Sequence, residues 1–180
     1  LVHRGPDADG YWWDLECGLA MGHRRLAVVD LSAEGAQPMC SASGRYVVAL
    51  NGEIYNFREI RADLESLGVG FRGHSDTEVM LAAIDQWGLA KAIPMFNGMF
   101  AFALWDRQER RLWLARDRLG KKPLYYGWIG GALVFASELK AIRVVPGFGG
   151  RISRQALTSF LRHNYVPAPY CIYEGLFKLE

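Results

Sequence analysis

The chain has 180 residues, 51% of them hydrophobic and 22% charged, which suits one domain with a sizeable core and argues against disorder. A formal net charge of +2 gives no general pull toward nucleic acid or an anionic membrane, and no apolar stretch reaches the roughly 20 residues of a membrane helix. Three widely spaced cysteines and four histidines without ligand spacing exclude a disulfide framework and a zinc site, with a reducing cytoplasm as the default.

In chain order, Gly5 to Gly10 is turn-rich and reads as a loop. Tyr11 to Trp13 and Gly18 to His23 read as paired short strands. Arg25 to Asp30 continues in the same extended pattern until the Ser/Gly/Pro region from Ser32 to Pro38. Tyr46 to Leu50 is the next strand, ending at Asn51-Gly52-Glu53-Ile54-Tyr55-Asn56. Arg58 to Leu67 reads as a helix with Ile60, Leu64 and Leu67 on one face, Asn56 as its cap and Gly68 as its stop. Val69 to Arg72 is short and extended. Ser75-Asp76-Thr77-Glu78 is a capping box that opens a helix closed by Gly88.

Beyond Asn97-Gly98 the period changes to two. Met99 to Trp105, Arg111 to Arg116, Leu124 to Ile129 and Ala132 to Ala136 read as antiparallel neighbours. Glu138 to Ile142 starts a short helix, and Ser153 caps another that runs to Arg162. Strands in groups around two firm helices predict an α+β layered domain, residues 1–180 forming one unit. The start at Leu1-Val2-His3 without methionine, and the end on an incoming strand at Leu176 to Glu180, read as cuts through a larger chain.

Four small groups offer chemistry. His3-Arg4-Gly5-Pro6-Asp7 reads first as a polar turn. In His23-Arg24-Arg25-Leu26 to Asp30, an arginine enters an apolar strand. It is either exposed on an edge or a planar fork for a carboxylate. Asn51-Gly52-Glu53 is either a tight turn or a pair of donors and one acceptor suited to an oxyanion and a polar substrate. Asp76 is either a helix-dipole partner or an acceptor for an ammonium group. Together the groups make an anion receptor, two acids and an amide pair, a set that suits an α-amino acid with a side-chain carbonyl.

The phrases HRGPD (3–7), RLAVVD (25–30), NGEIYN (51–56), SDTEV (75–79), GMFAFALWD (98–106), RDRLGKKPLYY (116–126) and ASELKAI (136–142) stand in one order. In that series the chain resembles the glutaminase half of asparagine synthetases, class II glutamine amidotransferases with the N-terminal-nucleophile hydrolase fold. The resemblance implies an αββα four-layer sandwich of two antiparallel sheets flanked by helices, here without its first strand and helix and without its last strand. It also implies that Arg25, with Leu26 beside it, binds the glutamine α-carboxylate. Glu53 and Asp76 hold the α-ammonium, and the Asn51 amide and Gly52 N–H form the oxyanion hole.

The family's nucleophile is an amino-terminal cysteine. Cys17, Cys40 and Cys171 are internal and read as small apolar residues, so the chain alone is expected to release no ammonia from glutamine. No cofactor is expected in this domain. ATP and magnesium are expected in a C-terminal synthetase domain, which amidates aspartate and is this domain's partner in the same protein. A homodimer stays open, and nucleic acid and membrane are not expected partners.

Two other readings compete. One is a structural glutaminase-like domain of an enzyme resembling β-lactam synthetase. The retained Arg25, Asn51, Gly52, Glu53 and Asp76 argue against it. The other is a nucleic-acid-binding module built on Arg107, Arg110, Arg111, Arg116, Arg118, Lys121 and Lys122 with Trp113, Tyr125 and Tyr126. Asp106, Glu109 and Asp117 dilute that stripe, and the strand period splits it between two faces.

Overall fold

The computed structural model describes residues 1–180 and divides them into two compact units, Val2–Ala115 and Arg116–Glu180, with Leu1 grouped with the latter. In the first unit β1 (Ala8–Asp14) and β2 (Leu19–Arg25) pair antiparallel, Ala8 opposite Arg25. A four-stranded sheet has the order β3 (Met39–Cys40), β4 (Tyr46–Ile54), β5 (Gly98–Asp106), β6 (Arg111–Arg116). The helices α1 (Phe57–Ser66), α2 (Asp76–Trp87) and the single turn α3 (Leu89–Ala92) stand between β4 and β5 in the chain.

The strand period puts Val48, Leu50 and Ile54 of β4 and Phe100, Phe102 and Leu104 of β5 on one face. There they pack with Ile60 and Leu64 of α1 and Val79, Met80, Ala83 and Ile84 of α2, all buried. Phe100 stacks on Phe102 at 5.9 Å and meets Phe96 edge-on at 6.3 Å. Side chains of this size contribute about 1.5–3 kcal/mol each when fully buried.

The other face carries Val47, Ala49, Asn51 and Glu53 of β4 and Ala101, Ala103 and Trp105 of β5. From Phe100 to Asp106 every residue is buried, so β5 is covered on both sides. On this face the Trp105 indole donates to Asp14 Oδ2 at the end of β1 at 3.3 Å.

The second unit holds a three-stranded antiparallel sheet, β8 (Ala132–Ala136), β7 (Tyr125–Ile129), β9 (Leu176–Lys178), with the short helix α4 (Leu139–Ile142) and α5 (Arg154–His163). Ile129, Ile142, Cys171 and Leu176 form its core. The phrase at 116–126 has a structural cause. Arg116 donates to the carbonyls of Gly120, Lys122 and Leu179, and Asp117 accepts the N–H groups of Leu119, Lys121 and Lys122.

Several expectations are corrected. β1 starts at Ala8, so the Gly5–Gly10 loop is shorter than its turn residues suggest. β2 stops at Arg25, and residues 26–31 are not strand, because that stretch wraps the Arg25 guanidinium. β4 does not end at Leu50 but runs through Asn51, Gly52 and Glu53 to Ile54, paired with Gly98 to Phe102. Asn56 stands at the N-cap of α1 as expected, but its side chain makes no capping bond. Its amide donates to the Met95 carbonyl and accepts from the Asn97 N–H, both at 2.9 Å. Cys40 is exposed rather than packed as a small apolar residue. No helix is long and apolar enough to cross a membrane.

Candidate active site

The far half of β4 has lost its neighbour on one side. β3 pairs only with Val47 and Val48. In an antiparallel strand, alternate residues turn both backbone groups to the same edge. Leu50, Gly52 and Ile54 therefore share the edge away from β5.

Side chains take the place of the missing strand there. Gln37 Oε1 accepts the Leu50 N–H at 2.6 Å, and His23 Nε2 lies 3.0 Å from the Leu50 carbonyl. Asp76 Oδ2 accepts the Ile54 N–H at 2.8 Å. Between these two capped positions the Gly52 N–H faces the same open edge. Only glycine fits this place, because φ at Gly52 is 149° and a Cβ would lie 2.1 Å from the Met99 carbonyl oxygen.

Asn51 and Glu53 point from the face opposite the helices. Around Asn51 that face is lined by Ala49, Ala101 and Ala103, so its amide stands among short side chains. Asp76 is buried as the first residue of α2, behind the N-cap Ser75, whose Oγ accepts the Glu78 N–H at 3.1 Å. Burial pushes the Asp76 carboxyl up. The Glu53 carboxylate adds to that push, against the N–H groups of Ile54 and Thr77, which pull it down. Neither acid has a basic side chain in ion-pair reach. Two neighbouring carboxylates without a cation are electrostatically complementary to an ammonium group.

Arg25 closes β2 with its guanidinium turned into the following loop. It donates to the carbonyls of Asp30 at 2.5 Å and Ser32 at 2.8 Å. A Cβ at Gly35 would lie 2.3 Å from Nη2, so a side chain there would displace the guanidinium. A guanidinium has five N–H groups, and these bonds use two. Leu26, next in the chain, is 59% exposed.

Asp30 ties this loop to the approach to α2. Its carboxylate accepts the N–H groups of Ser32 and His74, each at 2.8 Å. Hydrogen bonds from Ser32 and then from His74 hold its pKa down to about 2. Gln37 adds a second tie, with its Nε2 3.3 Å from Thr77 Oγ1. Three segments, 23–37, 50–54 and 73–78, are thus stitched together by side chains.

The six residues singled out from the sequence fall within these segments. Asn51, Gly52 and Glu53 are consecutive on β4, Asp76 bonds its last residue, Arg25 joins through Asp30 to His74, and Leu26 stands exposed beside Arg25. Sequence reading missed Gln37 and Thr77 and gave His23 no role. Nothing in a Gln-Pro pair at 37–38 marks it as the partner of a strand 13 residues on. No group of His, Cys, Asp and Glu residues can hold a metal ion.

A strand edge with a bare glycine N–H, an amide beside it and paired acids is the equipment of an amide-handling site. The chain belongs to the glutamine amidotransferase domain family, whose profile matches residues 1–180. Among particular proteins it is similar to asparagine synthetase [glutamine-hydrolyzing] 1 of Bacillus subtilis, at 39% identity over the whole chain and 28% of that protein. It is also similar to the putative asparagine synthetase [glutamine-hydrolyzing] 2 of Methanocaldococcus jannaschii, 35% identical over the whole chain and 38% of that protein. The chain therefore spans well under half the length of these relatives. Among solved structures it resembles the glutamine phosphoribosylpyrophosphate amidotransferase of B. subtilis, an N-terminal-nucleophile hydrolase. The TM-score is 0.61 at 32% identity, covering 69% of this chain and 29% of that one.

Proposed function

We propose that residues 1–180 bind glutamine and stabilise the hydrolysis of its side-chain amide within a longer enzyme of the asparagine-synthetase type. The single observation that carries this reading is the β4 edge, where the Gly52 N–H opens between two side-chain-capped neighbours and the Asn51 amide stands beside it. Asn51 Nδ2 and the Gly52 N–H donate to the oxyanion that forms when a thiolate adds to the glutamine Cδ. That thiolate comes from an amino-terminal cysteine outside residues 1–180. Glu53 and Asp76 take the α-ammonium, and Arg25 and Leu26 lie at the α-carboxylate. Collapse of the tetrahedral adduct breaks the C–N bond, and the leaving nitrogen takes a proton and departs as ammonia. Water then adds to the thioester, and the thiol and glutamate leave.

The ammonia is used by a C-terminal synthetase domain, where ATP and magnesium activate aspartate. Similarity to asparagine synthetases supports aspartate as the acceptor.

Recognition of a free α-ammonium is the most specific demand of this reading. In a thermal-shift titration of the full-length protein, L-glutamine is expected to raise the melting temperature and N-acetyl-L-glutamine to leave it unchanged. Equal shifts from both, or none from glutamine, would contradict the roles of Glu53 and Asp76.

A further inference from the structure

His23 lies on β2, two residues before Arg25, and its ring is directed at the open edge of β4. Its Nε2 faces the Leu50 carbonyl oxygen at 3.0 Å. A carbonyl oxygen can only accept, so Nε2 must carry the proton. Nδ1 is buried and has no hydrogen-bond partner. Burial, with the nearby Arg25 charge, pulls the imidazole pKa down against the bond to Leu50, which raises it, and a proton on Nδ1 would be a charged donor without an acceptor. The ring is therefore held in one tautomer with one bond. A leucine would fill the same space without a bare buried nitrogen, so packing alone does not explain a histidine here.

The bond it makes falls at an informative place. The Leu50 carbonyl belongs to the peptide unit that leads into Asn51. With Gln37 on the Leu50 N–H, the residue before the amide donor is clamped at both backbone groups by side chains, where no strand is left to do so. The Asn51 N–H of this peptide lies on the side paired with β5, so an unbonded Leu50 carbonyl would leave the unit held on one side only and able to tilt about that side, and the next side chain and the following N–H would move with it.

We propose that His23 is a positioning residue of the oxyanion hole: as an Nε2–H donor to the Leu50 carbonyl, it sets the plane of the Leu50–Asn51 peptide and so the aim of the Asn51 amide and the Gly52 N–H. The proposal rests on the glutamine-hydrolysing reading given above. Its consequence is kinetic. Loss of the bond leaves the glutamine contacts of Arg25, Glu53 and Asp76 in place and misaims the donors that act on the transition state, so kcat falls and KM does not.

The test uses the full-length protein with His23→Gln, His23→Asn and His23→Leu, each measured for glutamate release from glutamine. A glutamine amide reaches the position of Nε2 and can donate there, whereas an asparagine amide sits near Nδ1 and falls short. His23→Leu and His23→Asn are expected to lower kcat by as much as about 10²-fold with KM little changed, the loss expected of a misplacement near 1 Å. His23→Gln is expected to restore most of it. In the wild-type protein labelled with 15N-histidine, the resonances that vanish in His23→Gln are expected to report a neutral ring protonated on Nε2. Unchanged kcat in His23→Leu, a rise confined to KM, failure of glutamine to rescue, or an Nδ1-protonated ring would each overturn the proposal. A wild-type protein without glutamine turnover would overturn the functional reading itself. Turnover in the wild type with an indifferent His23→Leu would overturn this inference alone.

Discussion

Gly52 sits where two constraints meet: a φ of 149° and a Met99 carbonyl oxygen 2.1 Å from where a Cβ would be. The strand can stay paired there only with no side chain. Gly52→Ala is therefore expected to destabilise the protein by roughly 2–4 kcal/mol, combining backbone strain with overpacking. Urea unfolding followed by tryptophan fluorescence would read this as a lower midpoint at constant slope. An unchanged midpoint would mean that the strand relaxes around the methyl group. At this scale the sequence was informative about residue types and mute about partners. Asn51, Glu53, Asp76 and Arg25 stand out because polar groups beside apolar strands need a reason. Gln37 and His23 act on backbone groups of Leu50, 13 and 27 residues away, and no local pattern encodes such a bond.

Among the elements, the decisive event is that β3 is only two residues long. Its brevity leaves the second half of β4 with an edge that side chains from β2, residue 37 and α2 must cap, and one N–H between them stays available. The turn-prone look of Asn-Gly suggested that β4 ended at Leu50. Instead nine residues pair with β5, because Gly52 and Gly98 let the two strands approach without side chains in the way. The helices were easier to foresee, since their apolar period and the Ser75 cap are local signals.

Residues 26–30 read as strand because Leu26, Val28 and Val29 look extended, while the real organiser of the segment is Asp30. That tie has a pH signature. The Asp30 pKa of about 2 lies below the ordinary value of 3.8, so its stabilisation is complete above pH 3.8 and is lost as pH falls toward 2. Across that window wild type should lose about 2 kcal/mol relative to Asp30→Asn, which cannot titrate there. Urea unfolding of both proteins at pH 5 and pH 2.5 checks this. Parallel losses in the two would remove Asp30 from the explanation.

For the whole molecule, the antiparallel sheets with helices and the amidotransferase family were legible because the motifs follow one another along nearly the full chain. The division into units at Ala115 and Arg116 was not, since the charged loop at 117–123 reads as an ordinary connection between two strands and the boundary falls inside a strand. All the candidate site residues lie in the first unit. The second spends its best-marked phrase, 116–126, on fixing its own loop through Arg116 and Asp117. Under the proposed function the nitrogen is used outside residues 1–180, and the amide chemistry belongs to the β4 edge.

Steady-state glutamate release by the full-length protein and its Asn51→Ala variant tests that edge most directly. Wild type is expected to hydrolyse glutamine, and Asn51→Ala is expected to lose about 10²–10³-fold in kcat with KM for glutamine little changed. A folded wild-type protein that leaves glutamine intact, or an Asn51→Ala variant that keeps its kcat, would contradict it.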